Sequence, residues 1–156
     1  MSAPVNHITF FVDGRLFGVP AEDVMELARH HDITRVPLAP PSVAGLLNLR
    51  GQVVTAVDLR RRLELRPRPA GQQPMNVLLR REDALVSLLV DQVGEVIELD
   101  DSTFEPLPDT LRGPARELVR GVHKLPGRLL LLLDSNKIIA GLAVATRRTA
   151  PALPSA

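Results

Sequence analysis

The sequence predicts an all-β protein, a barrel or sandwich assembled from many short strands. Three observations carry that prediction. Short runs rich in Val, Leu, Ile and Phe recur along the chain. The 10 glycines and 14 prolines punctuate them at close intervals, which disfavours a βαβ array. Asp13-Gly14 and Pro126-Gly127 each sit between two apolar runs, where a tight turn needs residues that tolerate or pre-set its dihedrals.

Each element follows from local chemistry. Val5 to Val12 and Leu16 to Val19 flank Asp13-Gly14 and read as an opening hairpin. Pro20, followed by Glu22 and Asp23, resembles a helix start, and Val24, Leu27 and Ala28 are at helical spacing, so pattern alone predicts a helix over Pro20 to Arg29. Pro37, Pro40 and Pro41 break the next stretch, and Ser42 is placed to cap one turn through Leu46 or Leu47. Gln52 to Asp58 is a valine-rich strand, and Leu59 to Leu63 suits a short helical turn. Arg66 to Pro74 is the most loop-like internal segment. Met75 to Arg80 and Ala84 to Val90 form a second hairpin around Arg81-Glu82-Asp83, and Val93 to Leu99 is a further strand. Asp100 to Pro114 is irregular. Leu118 to Leu125 and Arg128 to Leu133 flank the Pro126-Gly127 turn. Asp134 or Ser135 then caps a terminal helix containing Ile138, Ile139 and Leu142, and Ala150 to Ala156 frays. A faint echo suggests two similar halves: Leu49-Arg50-Gly51 precedes a strand ending at Asp58, and Val119-Arg120-Gly121 a hairpin ending at Asp134.

Composition narrows the function. The chain has 156 residues, 45% hydrophobic and 24% charged, enough for a self-sufficient core. Nineteen basic against eighteen acidic residues leave a net charge of +1, so electrostatics do not nominate nucleic acid or an anionic membrane. The absence of cysteine removes disulfides, thiolate catalysis and cysteine-based metal sites. With no Trp, no Tyr and four Phe, stacking platforms for single strands are lacking. Met1 to His7 does not read as a signal peptide, and Leu129 to Leu133 is too short to insert into a membrane, so a cytoplasmic location is expected.

Catalytic constellations are missing. No phosphate loop, dinucleotide fingerprint or nucleophile elbow occurs. His7, His30, His31 and His123 lack metal-ligand spacing, and the adjacent pair His30-His31 reads as a solvated segment. Glu95, Glu98, Asp100 and Asp101 read as a solvated strand edge that discourages aggregation. Arg60, Arg61 and Arg62, interleaved with Asp58 and Glu64, read as surface ion pairs. No enzyme, metal or cofactor is expected.

The most informative segment is Ala44-Gly45-Leu46-Leu47-Asn48-Leu49-Arg50-Gly51, continued by an apolar strand and Asp58-Leu59-Arg60. It resembles the CheW family, the coupling proteins of bacterial chemosensory arrays, whose hallmark is N-L-R-G, an apolar strand and D-L-R. Ile8 to Val19, Val24 to Leu27, Asp32 to Pro37, Ala84 to Leu99 and Val119 to Asp134 resemble further family segments, including V-x-E-I and V-D-x-V. The resemblance spans about residues 5 to 142, leaving 143 to 156 as a tail.

That resemblance implies two five-stranded SH3-like barrels side by side, with short helical turns and a C-terminal helix. It also implies a turn and strand, against the helical pattern, at Pro20 to Arg29. The implied function is scaffolding between a chemoreceptor's cytoplasmic hairpin tip and the regulatory domain of a CheA-type histidine kinase. The positions matching the receptor groove are Val24, Glu26, Arg50, Val93 and Val96. For the valines, plain core is the competing reading. Arg50 either faces the receptor, cooperating with Glu26, or pairs internally with Glu26 or Asp58. Asn48 and Gly51 shape the turn, and Asp58 and Arg60 are structural. No kinase-contact residues are carried over. The Arg66 to Pro74 loop and the tail, which lacks an amphipathic closing helix, depart from the family pattern. Two competing readings are a CheW-like adaptor in a non-chemotaxis pathway and a small-barrel nucleic-acid-binding module.

Overall fold

A computed structural model describes residues 3–140 of the chain. The strands expected elsewhere form, and two further strands stand where the sequence suggested helical structure, at Val24–Ala28 and Val43–Leu49. The order is β1 (Val5–Val12), β2 (Arg15–Pro20), a 3-10 turn (Ala21–Asp23), β3 (Val24–Ala28), β4 (Val43–Leu49), β5 (Gln52–Asp58) and α1 (Leu59–Arg62). Then follow β6 (Met75–Arg81), β7 (Ala84–Val90), β8 (Gln92–Leu99), β9 (Phe104–Glu105), α2 (Pro114–Leu118), β10 (Val119–Leu125) and β11 (Arg128–Leu133). Residues 135–140 are helical, with the Asp134 carboxylate accepting from Lys137 N at 3.2 Å; Leu142 and the tail lie outside the described residues. Helical spacing at Pro20 to Arg29 gives way to strand because β3 pairs along its length with β6, as the resemblance implied. Ser42 caps no turn: β4 begins at the next residue, and the Ser42 carbonyl accepts from Asp58 N at 2.8 Å.

Two sheets result, ordered β8-β1-β2-β11-β10-β9 and β3-β6-β7-β5-β4. The second has the expected five strands. The first has six, because Phe104–Glu105 adds a two-residue strand beside β10. Hairpins are antiparallel, whereas β2 with β11 and β5 with β7 are parallel. Parallel neighbours cannot come from a tight turn. Here they arise because the two halves of the chain exchange hairpins: β1–β2 joins strands of the second half, and β6–β7 joins strands of the first.

The pairing registers superimpose the halves. A bulge falls between Val43 and Gly45 opposite β5, and another between Val119 and Gly121 opposite β11. Gly51 and Gly127 turn the two hairpins with positive φ, and Asp58 and Asp134 end them, each capping a helix. Likewise Val24, Glu26 and Leu27 on β3 match Val93, Glu95 and Val96 on β8, with bulges at the same place. The echo of two halves is therefore real, but its register is corrected. Gly121 corresponds to Gly45, and Gly51 to Gly127.

Three apolar clusters follow from strand alternation. Phe10, Val12, Phe17, Val19, Val77, Leu79, Val86, Leu88, Val90 and Leu133 meet in a core shared by both sheets. Their neighbours in sequence point the other way. Leu47, Leu49, Val54, Ala56, Leu78 and Leu89 fill the five-stranded unit, and Leu16, Leu99, Leu130 and Leu132 the six-stranded one. Strands buried on both faces explain why β7 and β11 read as nearly continuous apolar runs. The one polar intruder in β7, Ser87, donates to Asn76 Oδ1 at 2.7 Å, and Asn76 Nδ2 donates to the Arg29 carbonyl at 2.9 Å. The pair is buried yet satisfied.

Candidate functional site

The N-L-R-G segment forms the β4–β5 turn. Leu49 pairs with Gln52, leaving Arg50 and Gly51 as the two central residues at φ 52° and 83°. Positive φ at both positions is the type I′ requirement, which Asn and Gly satisfy at least cost. Gly51 meets it freely, and its N–H donates to the Asn48 side chain at 2.9 Å, as expected of turn-shaping residues. Arg50 meets it at a steric cost of about 1 kcal/mol. Its side chain is 82% exposed, and its Nε lies 3.3 Å from Glu26 Oε1 on β3.

This pair spans the two outer strands of the five-stranded sheet, since β3 and β4 stand at opposite ends of the strand order. Both readings of Arg50 thus have a counterpart: it faces solvent, and it is paired with Glu26 rather than with Asp58. Exposure of this kind limits its value to stability to under about 1 kcal/mol.

The three valines separate. Val24 and Val93 occupy matching places in the two halves, are partly buried, and pack against the shared core. Val96 stands opposite Ile8 on the sheet's terminal strand and is 60% exposed. Glu95 and Glu98 are exposed on the same edge strand, as the aggregation argument expects.

Arg60 overturns the surface-pair expectation. Only 6% of it is exposed, and it reaches Asp91 rather than a neighbour in sequence. Its Nε donates to Asp91 Oδ1 at 2.9 Å and its Nη2 to Oδ2 at 2.6 Å, while Nη1 donates to the Arg66 carbonyl at 2.9 Å. Asp13 N donates to Asp91 Oδ2 at 2.7 Å. Burial pushes the Asp91 carboxyl up, but Arg60, the Asp13 N–H and Arg68 outweigh it and hold the pKa below the ordinary value. The Arg60 guanidinium is raised in turn, chiefly by its bond to Asp91. Arg66 Nη2 donates to Asp13 at 2.8 Å and Arg68 Nε to Asp91 at 3.3 Å, so the unmatched Arg66 to Pro74 loop is strapped to the junction between the halves. The sequence signal for Asp91 was its place in V-D-x-V, a lone acid ending an apolar strand.

Among the histidines, His7 and His123 come together with ring centroids 6.3 Å apart. His7 Nδ1 donates to the Val5 carbonyl at 2.9 Å, and His123 Nδ1 lies 2.9 Å from Thr103 Oγ1. Desolvation lowers the pKa of both. His30 is exposed, as expected. Among the described residues, no three His, Cys, Asp or Glu side chains converge on a metal-sized site, and no helix is long and apolar enough to cross a membrane.

The CheW-like domain model matches residues 6–143. The chain belongs to the CheW-like family. Its relatives include the chemotaxis protein CheW of Bacillus subtilis, 28% identical over 132 residues and covering 85% of each chain. The CheW of Rhizobium meliloti is 30% identical, with 84% of each chain covered. A solved structure titled as the scaffolding protein TtCheW from Thermoanaerobacter tengcongensis superimposes with a TM-score of 0.76 at 26% identity, covering 85% of this chain and 90% of that one. The two-sheet architecture is therefore the CheW fold.

Proposed function

We propose that this CheW-like protein is a non-enzymatic cytoplasmic adaptor that couples chemoreceptor hairpin tips to the regulatory domain of a CheA-type histidine kinase. The carrying observation is Arg50. The fold has no use for an arginine at a type I′ position, where Asn or Gly costs less, yet the side chain is displayed to solvent and steadied by Glu26. A guanidinium held on a short turn beside partly exposed β3 is suited to meet a carboxylate or backbone carbonyls on a partner helix. Val96, 60% exposed, and the partly buried Val24 and Val93 are the apolar positions that the family resemblance assigns to this contact. Family membership and the structural likeness to the scaffolding protein TtCheW support the reading.

The test is a pull-down from native lysate with the tagged full chain, bound proteins being identified by mass spectrometry. Recovery of a CheA-type kinase together with a coiled-coil receptor is the expected result. Recovery of neither, from a folded bait, refutes the coupling role. The chain is also 26% identical over 115 residues to the protein PilI of Pseudomonas aeruginosa, and a second reading is the same adaptor role in a pathway other than chemotaxis. The receptors recovered distinguish the two.

A further inference from the structure

The loop between β3 and β4 borders a pocket of about 550 Å3, lined by Arg35, Leu38, Pro40, Pro41, Asp58 and Arg61 among others. The two halves of the molecule treat this stretch differently. Their equivalence here is fixed by one hydrogen bond: Asp58 N donates to the Ser42 carbonyl at 2.8 Å, and Asp134 N to the Leu118 carbonyl at 2.8 Å. In the second half, the residues before that bond fold into α2 and bury themselves. Leu118 is 1% exposed, and Leu111 and Ala115 pack on the shared core. In the first half three prolines prevent a helix, and Leu38 projects fully into solvent at φ 65°, a left-handed conformation that is unfavourable for a leucine.

Charge distinguishes the halves as well. Arg35 is exposed and makes no hydrogen bond or ion pair among the described residues. The Arg61 side chain is 58% exposed and, among the described residues, reaches only Asp58, at 3.8 Å. Asp58 itself is engaged elsewhere, accepting from Arg60 N at 3.1 Å and lying 3.6 Å from Arg68 Nη2. The pocket thus offers two guanidinium groups with unused capacity beside an apolar wall that prolines hold rigid.

We propose that this pocket docks a short segment of a partner protein that combines apolar side chains with a carboxylate. The apolar residues would cover Leu38 and the prolines, much as the second half covers its own core with α2, and the carboxylate would bridge Arg35 and Arg61. Charge-assisted contact to a rigid fork favours a carboxylate over a neutral amide, and the stiff loop lowers the ordering cost of binding. This surface lies at the opposite end of β4 from Arg50, about 20 Å away along the strand. It is thus independent of the receptor-facing reading.

The test is a titration of the isotope-labelled full chain with acetyl-Ala-Leu-Glu-Glu-Leu-Ala-amide, followed through backbone amide NMR shifts, with acetyl-Ala-Leu-Gln-Gln-Leu-Ala-amide as the control. The expected result is shifts concentrated at residues 35–44 and 61, with the Gln peptide binding roughly fivefold more weakly or worse. Arg35→Ala and Arg61→Ala, both exposed and checked for folding by the same spectra, should each weaken the Glu peptide, and Leu38→Asp should abolish its binding. Absence of shifts at these residues up to about 5 mM peptide, equal binding of the two peptides, or insensitivity to all three variants would each overturn the proposal. None of these outcomes depends on a receptor or kinase.

Discussion

Arg60 grips both carboxylate oxygens of Asp91, at 2.9 and 2.6 Å, in a place where neither side chain is more than 8% exposed. Arg60 follows β5 of the first half, and Asp91 ends β7, which the second half inserts beside β5. The ion pair therefore ties the exchanged hairpin to the sheet that receives it. Buried pairs of this kind contribute little over an apolar pair of the same shape, but breaking one partner is costly, because the other charge is left buried and unmatched.

Asp91→Ala deprives Arg60 of its bidentate partner, leaving Asp13 Oδ1 at 3.8 Å as its remaining ion pair, and removes the acceptor for Asp13 N. It should lower stability by about 3 kcal/mol or more, read as a shift in the urea midpoint. Loop residues 66–74 should also become more sensitive to protease, since Arg60 and Arg68 anchor them through this carboxylate. A midpoint shift no larger than that of a surface substitution would show that the pair does not hold the halves together.

Arg50→Asn separates turn chemistry from function. Asn accepts positive φ more readily than Arg, so the variant should be at least as stable as the parent, within about 1 kcal/mol. If Arg50 serves a partner, the same variant should lose receptor-dependent activation of the kinase in a reconstituted array. Full activation by the folded variant would return Arg50 to a purely local role.

The matched glycines should respond unequally. A Cβ on Gly45 would sit 2.2 Å from the Thr34 carbonyl oxygen, which is backbone, at a φ of 150°. A Cβ on Gly121 would meet ring carbons of Phe104, a half-exposed side chain able to swing away, at 2.5 Å, and the Glu105 carbonyl oxygen at a milder 3.0 Å. Gly45→Ala should therefore cost about 3 kcal/mol and Gly121→Ala clearly less, measured by thermal or urea denaturation of the two variants side by side.

His7 and His123 make stability depend on pH near neutrality. Burial lowers both pKa values below the ordinary 6.5, so the unfolded chain binds protons more readily than the folded one in the window just below that value. Their contribution is complete above about pH 6.5 and declines as pH falls toward the lowered folded values. His7→Asn places the residue that the second half uses at the equivalent position, Asn76, where the amide also donates to a carbonyl. The variant should flatten the pH dependence of the urea midpoint below about pH 6.5. An unchanged slope would remove His7 from the account.

Much of the fold was legible locally. Asp13-Gly14 and Pro126-Gly127 mark turns because few dihedrals close a hairpin, and the apolar runs flanking them form strands as expected. The N-L-R-G and D-L-R motifs identified the family from one segment. Non-local pairing was what local pattern failed to carry. The helical spacing at Val24 to Ala28 suits a strand equally well, and only the backbone partners on β6 decide between them. Alternation says that β7 has two apolar faces, but only the hairpin exchange decides which face joins the shared core. Arg60 looks like one of three surface arginines until β7 brings Asp91 beside it. By itself, then, the sequence determined the family, the tight turns at Asp13-Gly14 and Pro126-Gly127 and most of the strands, because those depend on dihedral preferences and short-range order, whereas β3 and β4 took their strand form from their neighbours. The tertiary structure alone decided the register of the two halves, the burial of Arg60 and the meeting of Glu26 with Arg50, because each depends on residues distant along the chain whose proximity is set by which strands share a sheet.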